Sequence, residues 1–331
     1  MLLKKITSHF NPEQFQGWGK SRNYFEGWYF KLIDDQGDYA FAIIPGIAMD
    51  EKGKGHSFIQ VLDGKNSTAE YHKFPLEDFE PAADKFFVRI GSNEFSANHL
   101  VLDLDNLKGK LQISGKASWP NPWYAPGIMG PFSWLKFMEC NHGIVSMDHT
   151  LKGSLNYMDK NIPFLQGKGY IEKDWGSSFP SAYVWMQSNH FEEEGISFKC
   201  SVATIPMFSS GFTGFICGLY IKGHFIRFTT YNFSKLKHLE KHDSGVDLEL
   251  ISPWYHLKVK AKNGQTALLA SPILGAMEGR ISESMTAELH IQITERKSGK
   301  IIFEGTGMHA GLEIAGAFDE LLYKYNKGRK S

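Results

Sequence analysis

Cysteine is scarce in this chain and neither sign of charge prevails. Cys140, Cys200 and Cys217 are the three cysteines in 331 residues. They form no Cys-x-x-Cys pair and no even set, which excludes a small disulfide-stapled fold and fits a reducing compartment, so a cytoplasmic location is expected. Lys and Arg number 36 and so do Asp and Glu. That balance argues against a nucleic-acid partner, which would need a basic surface. The basic end (Lys324, Lys327, Arg329, Lys330) reads as a solvated tail. Long apolar runs are missing as well. The longest, Tyr39 to Met49, is interrupted by Pro45 and Gly46 and is too short for a transmembrane segment. Met1 to Trp18 has no apolar h-region, so no secretory leader is expected. Peripheral membrane contact stays compatible with this pattern.

Familiar catalytic and nucleotide signatures are also lacking. There is no Gly-x-Ser-x-Gly elbow and no Walker loop. Gly305-Thr306-Gly307 does not complete a dinucleotide fingerprint and lies between strand patterns rather than entering a helix. No cofactor is expected. Helical periodicity is confined to one place: Phe318, Leu321, Leu322 and Tyr325 follow i, i+3, i+4, i+7 and predict a short C-terminal amphipathic helix.

What the chain has in quantity is glycine, aromatics and short strand patterns. The 33 glycines are about one residue in ten, above the usual ~7%, and aromatics make up 14%, a composition suited to pleated surfaces and turns. Strand patterns recur from Asn23 to Ile33, Tyr39 to Pro45 and His56 to Leu62, the last ending at Asp63-Gly64. Others are Lys136 to His142, Val145 to Leu155, Gly169 to Lys173 and Ala182 to Phe191. The second half continues alike, with hairpin turns expected at Asn263-Gly264 and Ser298-Gly299. Ser118 to Pro131, rich in Pro, Trp and Gly, reads as an ordered irregular loop, a lid or rim. The fold class is therefore all-β, built of barrels or sandwiches.

Chemistry concentrates where carboxylates interrupt aromatic strands. Tyr24, Glu26, Trp28, Phe30 and Leu32 alternate on one face of one strand, and Tyr170, Glu172 and Asp174 on one face of another. Glu172 and Asp174 would lie about 7 Å apart. Neighbouring carboxylates push their pKa values apart, so one can stay protonated as a general acid; equally, Asp174 can cap the turn at Trp175-Gly176 and Glu172 can pair with a base. Glu26 reads either as a second acid or base, or as the buried partner of an Arg or Lys. His142, among Glu139, Cys140, Asn141, Asp148 and His149, reads as a general base, a hydrogen-bonding group or a core histidine. Cys140, His142 and His149 lack the spacing of a zinc site, and no metal is expected. Tyr183, Trp185, Gln187 and Asn189 alternate on one strand and suit a cavity wall for an apolar ligand with a polar head; ordinary barrel filling is the other reading, and Trp28 and Trp175 share that ambiguity.

Phe25-Glu26-Gly27-Trp28-Tyr29-Phe30-Lys31, the stretch Glu172-Lys173-Asp174-Trp175-Gly176 with Phe179-Pro180, Trp185 to Phe191, and Met308 to Gly316 resemble motifs of the tocopherol cyclase family. The resemblance implies two lipocalin-like β domains, 1–160 and 161–331, and a cofactor-independent cyclase of the isomerase or lyase type. Its substrate would be a prenylated aromatic or another isoprenoid lipid. Tyr170-Ile171-Glu172 is more distantly similar to a Tyr-x-Asp stretch of the carotenoid hydratases, in which the acid protonates an alkene. On that model Glu172 is the acid, Asp174 or His142 the base, and Trp28, Tyr170 and Trp185 the aromatic walls. A non-catalytic carrier of a hydrophobic small molecule is the alternative, since the fold alone does not choose.

Overall fold

The computed structural model describes residues 8–123, 125–135, 138–206 and 211–328. Lys136, where one strand was expected to begin, and Arg329 and Lys330 of the basic end lie outside them. The first sheet is a meander of β1 (Tyr24–Ile33), β2 (Ala40–Met49), β3 (Gly55–Asp63), β4 (Thr68–Phe74), β5 (Phe79–Pro81), β6 (Phe87–Ile90), β7 (Asn93–Ser96), β8 (His99–Asp103), β9 (Leu107–Ser114), β10 (Cys140–Tyr157) and β11 (Lys160–Gly176). Its order is β4-β3-β2-β1-β11-β10-β9-β8-β7-β6-β5. All neighbours are consecutive in the chain except β1 and β11, whose pairing brings the two motif-bearing strands side by side. Short polar turns allow this meander. Asp63 carries the β3–β4 turn by accepting from the backbone N–H of Lys65 and Asn66 at 2.8 and 3.2 Å.

The second sheet holds β12 (Ala182–Ser188), β13 (Ile196–Ile205), β14 (Phe212–Ile221), β15 (His224–Thr229), β16 (Lys235–His242), β17 (Gly245–Ile251), β18 (Tyr255–Lys262), β19 (Thr266–Ile273), β20 (Ala276–Glu295) and β21 (Ile301–Gly316), followed by helix α1 (Phe318–Gly328). Its order is β15-β14-β13-β12-β21-β20-β18-β17-β16, with β19 also beside β20. Each sheet is antiparallel and curls around its own apolar core. Phe30, Phe41, Ile59, Phe95 and Leu111 are among the residues filling the first; Val184, Phe198, Leu248, Leu289 and Leu321 are among those filling the second. This is the expected all-β, lipocalin-like architecture with a short C-terminal helix. One compact unit comprises Met1–Phe179 with Leu268–Arg280, the other Pro180–Ala267 with Ile281–Ser331.

Two expectations need correction. Asn263-Gly264 is not a hairpin turn, because β18 and β19 both lie along β20 instead of pairing with each other. Gly264 serves a close approach there: a Cβ would sit 2.4 Å from the Thr286 hydroxyl and 2.6 Å from that of Ser284. The turn between β19 and β20 falls instead at Leu274-Gly275, where both residues have positive φ (48° and 82°). Likewise, the segments Lys136 to His142 and Val145 to Leu155 do not form separate strands. From Cys140 onward they make one strand, β10, interrupted by bulges.

Candidate functional site

The register of β1 on β11 sorts the motif residues by face. Directly opposed residues of an antiparallel pair share a face. Tyr29 opposes Glu172, Gly27 opposes Asp174 and Lys31 opposes Tyr170, whereas Glu26 opposes Trp175 and Trp28 opposes Lys173. One face thus carries Tyr29, Lys31, Tyr170, Glu172 and Asp174. The other carries Glu26, Trp28, Lys173 and Trp175. The structure brings Tyr170, Glu172 and Asp174 together, but it places Glu26 and Trp28 on the opposite side of the sheet from them.

β10 adds a third group to the acid face. It joins β11 through the two-residue turn Met158-Asp159, both residues with positive φ (48° and 64°) as a primed hairpin turn demands. Extending the register of that turn without interruption would set Gly143 against Asp174. Bulges between Leu151 and Gly153, Ser146 and His149, and Ile144 and Ser146 leave a net offset of one residue, so His142 opposes Asp174 instead. A one-residue slip exchanges faces. The bulges therefore deliver His142 to the acid pair.

The resulting contacts form a chain. Tyr170 donates its hydroxyl to Glu172 Oε2 at 2.5 Å. His142 Nε2 lies 3.5 Å from the same oxygen, and His142 Nδ1 lies 2.7 Å from Asp174 Oδ1. Side-chain exposure rises along it, from 6% for Glu172 to 13% for His142 and 25% for Asp174. Burial, and next the negative field of Glu172, push the Tyr170 hydroxyl well above the usual phenol range, so it remains a donor. A neutral His142 with its proton on Nδ1, toward Asp174, would turn an Nε2 lone pair toward Glu172, an arrangement suited to proton exchange between the two.

Glu172, His142 and Asp174 also have donor atoms within 4.8 Å of one another, close enough to surround a cation. Of the other candidate ligands, Cys140 reaches this group, with its Sγ 3.8 Å from Asp174 Oδ1, and His149 does not. His149 stands opposite Gly169 on the core face, and burial lowers its pKa to about 3.

On the core face, Glu26 and Lys173 form an ion pair at 2.5 Å with both side chains fully buried. Glu26 accepts from the Gln16 and Gly17 N–H groups and from the Tyr24 hydroxyl. Lys173 donates to the carbonyls of Pro12 and Gln14. Its ammonium lies 4.8 Å from the Trp28 ring centroid and 4.7 Å from that of Trp175. Of the two readings of Glu26, this environment matches the buried partner of a lysine.

A cavity of about 350 Å³ opens where β1 begins and β11 ends. His142, Trp175 and Tyr24 line it, together with Pro12 and Gln16 of the N-terminal segment and Pro126 and Met129 of the Pro-rich loop.

In the second unit, β12 sets Trp185 opposite Glu313 and Ser201, and Gln187 opposite Lys199. Tyr183 donates to Glu313 Oε2 at 2.6 Å, and Lys199 Nζ lies 2.7 Å from Ser201 Oγ. Glu283 opposes Glu313 from β20. Asn189 is buried just beyond the end of β12. Lys199, Glu283 and Glu313 are buried polar residues that sequence reasoning missed. The available signal was a lone charge in an alternating strand, as in Ile196-Ser197-Phe198-Lys199-Cys200. Lys31 was missed for the same reason.

A family model described as tocopherol cyclase-like matches residues 102–316. The chain belongs to that family. Among named relatives, it is 22% identical over 185 residues to an Oryza sativa subsp. japonica chloroplastic protein named probable tocopherol cyclase, covering 50% of this chain and 37% of the relative. It is 22% identical over 198 residues to the chloroplastic tocopherol cyclase of Zea mays, covering 54% and 40%. The matches thus span well under half the length of these relatives. Among solved structures, CghA with Sch210972 superposes with a TM-score of 0.56 at 11% identity, covering 88% of this chain and 89% of that one. A protein described as AttH from Nitrosomonas europaea gives 0.50 at 12% identity, covering 87% and 92%. Such likenesses carry the fold. Among the described residues of the tocopherol cyclase-like chain, no helix is long and apolar enough to cross a membrane.

Proposed function

We propose that the protein is an acid-catalysed cyclase or hydratase-type enzyme acting on a prenylated aromatic or related isoprenoid lipid. The observation that carries this reading is the series of side-chain contacts Tyr170–Glu172–His142–Asp174 on one face of β10 and β11, hydrogen-bonded at its two ends and 3.5 Å apart between Glu172 and His142, in a chain of this family. Glu172 is the acid. It gives its proton to a trisubstituted alkene, and a tertiary carbocation-like centre forms. The phenol oxygen of the substrate attacks that centre and closes a chromanol ring. The phenolic proton leaves to His142, whose charge Asp174 stabilises, and returns to Glu172 through Nε2. One proton enters and one leaves, so the reaction is an isomerisation. Neither electrons nor activated groups move, and no cofactor is needed. Water must be kept from the cation, or hydration replaces closure. Tyr170 orients the acid. Tyr183, Trp185, Gln187 and Asn189 are proposed as a wall for apolar substrate in their own unit.

The test is Glu172→Gln, assayed on a prenylated hydroquinone by loss of the free phenol. The amide keeps the shape and cannot supply an acidic proton. The expected fall in kcat is about 10²–10⁴-fold, the usual worth of general acid catalysis, with lipid binding retained. Full activity in the variant would reject Glu172 as the acid. Wild-type protein that binds such lipids and converts none would point to a carrier.

A further inference from the structure

The second unit contains Cys200 and Cys217, and they face each other. β13 pairs with β14 in a register without shifts, in which Cys200 opposes Cys217. The ladder also fixes what kind of pair this is. The Lys222 N–H donates to the Gly195 carbonyl at 2.8 Å, and these two residues continue the register in which Ile196 opposes Ile221. They are therefore a hydrogen-bonded pair. Hydrogen-bonded and non-hydrogen-bonded pairs alternate along an antiparallel ladder. An odd number of steps leads from Gly195 to Cys200, so Cys200 and Cys217 hold a non-hydrogen-bonded position. Opposed residues there have Cα atoms about 4.5 Å apart and side chains at their closest. That falls within the Cα separation of roughly 4.4–6.8 Å that a disulfide accepts.

Both sulfurs are thiols in this structure, and both residues are buried in the second core. Burial, and next a hydrogen bond with the Cys200 thiol, push the Cys217 thiol well above its usual range. Buried cysteines fill space as small apolar residues do. Packing explains small residues here, but not two sulfurs at the kind of strand position where they can join. Thiol–disulfide exchange needs a thiolate and a path to it. Both are withheld while the sheet is closed. The cover over β14 is the edge strand β15, which spans only His224–Thr229 and sets Phe228 opposite Cys217. Local opening of such an edge gives buried groups their chance to react.

We propose that Cys200 and Cys217 are a disulfide-forming modification site, a slow latch that joins β13 to β14 when the protein meets a small-molecule disulfide. With oxidised glutathione, one cysteine thiolate attacks the S–S bond and releases one glutathione thiolate. The second cysteine attacks the resulting mixed disulfide, the Cys200–Cys217 bond forms, and the second glutathione leaves. Two protein thiols lose two protons and two electrons, and oxidised glutathione becomes two thiols. The latch would hold β13 where Lys199 and Ser201 flank Cys200 and Ser201 opposes Trp185. It does not rest on the catalytic reading. The experiment incubates the full chain with oxidised glutathione, as wild type, Cys140→Ser and Cys217→Ala, with and without urea below the unfolding transition. Remaining thiols are counted by N-ethylmaleimide labelling in denaturant and by intact mass. Wild type should go from three labelled cysteines to one, and Cys140→Ser from two to none, without retained glutathione. Peptide mapping should place the link between Cys200 and Cys217, and Cys217→Ala should form no internal bond. Urea should speed the reaction at least several-fold, because opening limits it. The thermal midpoint of oxidised Cys140→Ser should rise by about 5 °C or more, and dithiothreitol should reverse the rise. No loss of label during incubation in urea, a link to Cys140, or a lower midpoint after oxidation would overturn the proposal.

Discussion

Glu26 and Lys173 meet as a fully buried ion pair across β1 and β11. Lys173 stands between Glu172 and Asp174 in sequence, and strand alternation turns it to the core while the two acids turn away. The Glu-Lys-Asp triplet therefore serves two faces at once. Its lysine ties β11 to β1 and holds the backbone of Pro12 and Gln14, while Glu26 holds Gln16 and Gly17. The N-terminal segment that lines the cavity is thus strapped to the strand that carries the acids.

A buried pair gains little over an apolar pair of the same shape, but removing one partner leaves an uncompensated charge. Lys173→Met should lower stability by about 3–5 kcal/mol, read by denaturant unfolding, and should speed proteolysis around residues 8–17. Glu26→Gln combined with Lys173→Met should be less destabilised than Lys173→Met alone, because no bare carboxylate remains. A double variant worse than the single one would mean that the two side chains do not act as a pair.

Much of the fold was legible because turn chemistry and alternation are local. Asp63-Gly64, the glycine count and the i, i+3, i+4, i+7 pattern from Phe318 give the β class and the terminal helix from neighbouring residues alone. Strands were overlooked where charge hides alternation, as in Lys235–His242 (β16), or where they are very short, as in Phe79–Pro81 (β5). The shared face of Glu172 and Asp174 follows from a period of two. That Glu26 lies on the other side does not, because it depends on the pairing register of two strands far apart in sequence. His142 was a candidate by residue type, but its place opposite Asp174 depends on bulges that no local pattern announces.

His149 predicts how stability responds to acid. Burial, and next the charge of Lys116, lower its pKa to about 3 from 6.5. The unfolded chain therefore binds a proton that the folded chain refuses. Its contribution is fully present above about pH 6.5 and is lost progressively as pH falls toward 3. His56, lowered to about 4 mainly by burial, acts in the same direction. The thermal midpoint should fall between about pH 6.5 and 4, and His149→Gln should flatten part of that fall. An unchanged slope in the variant would show that His149 is not a source of the acid sensitivity.

On the proposed mechanism, Asp174 acts through His142. It meets the imidazole at Nδ1, on the side away from Glu172. Asp174→Asn keeps a side-chain oxygen as acceptor but removes the negative charge that favours a protonated ring. Activity should drop by roughly 10–100-fold, the usual cost of losing an orienting partner, and by less than in Glu172→Gln. A double variant separates this from a packing defect. His142→Gln should lower activity by itself, and adding Asp174→Asn to it should cost little more, because the two side chains act as one unit. If the two losses simply multiplied, Asp174 would be a structural cap of the turn at Trp175-Gly176, and His142 would need another partner to carry its charge.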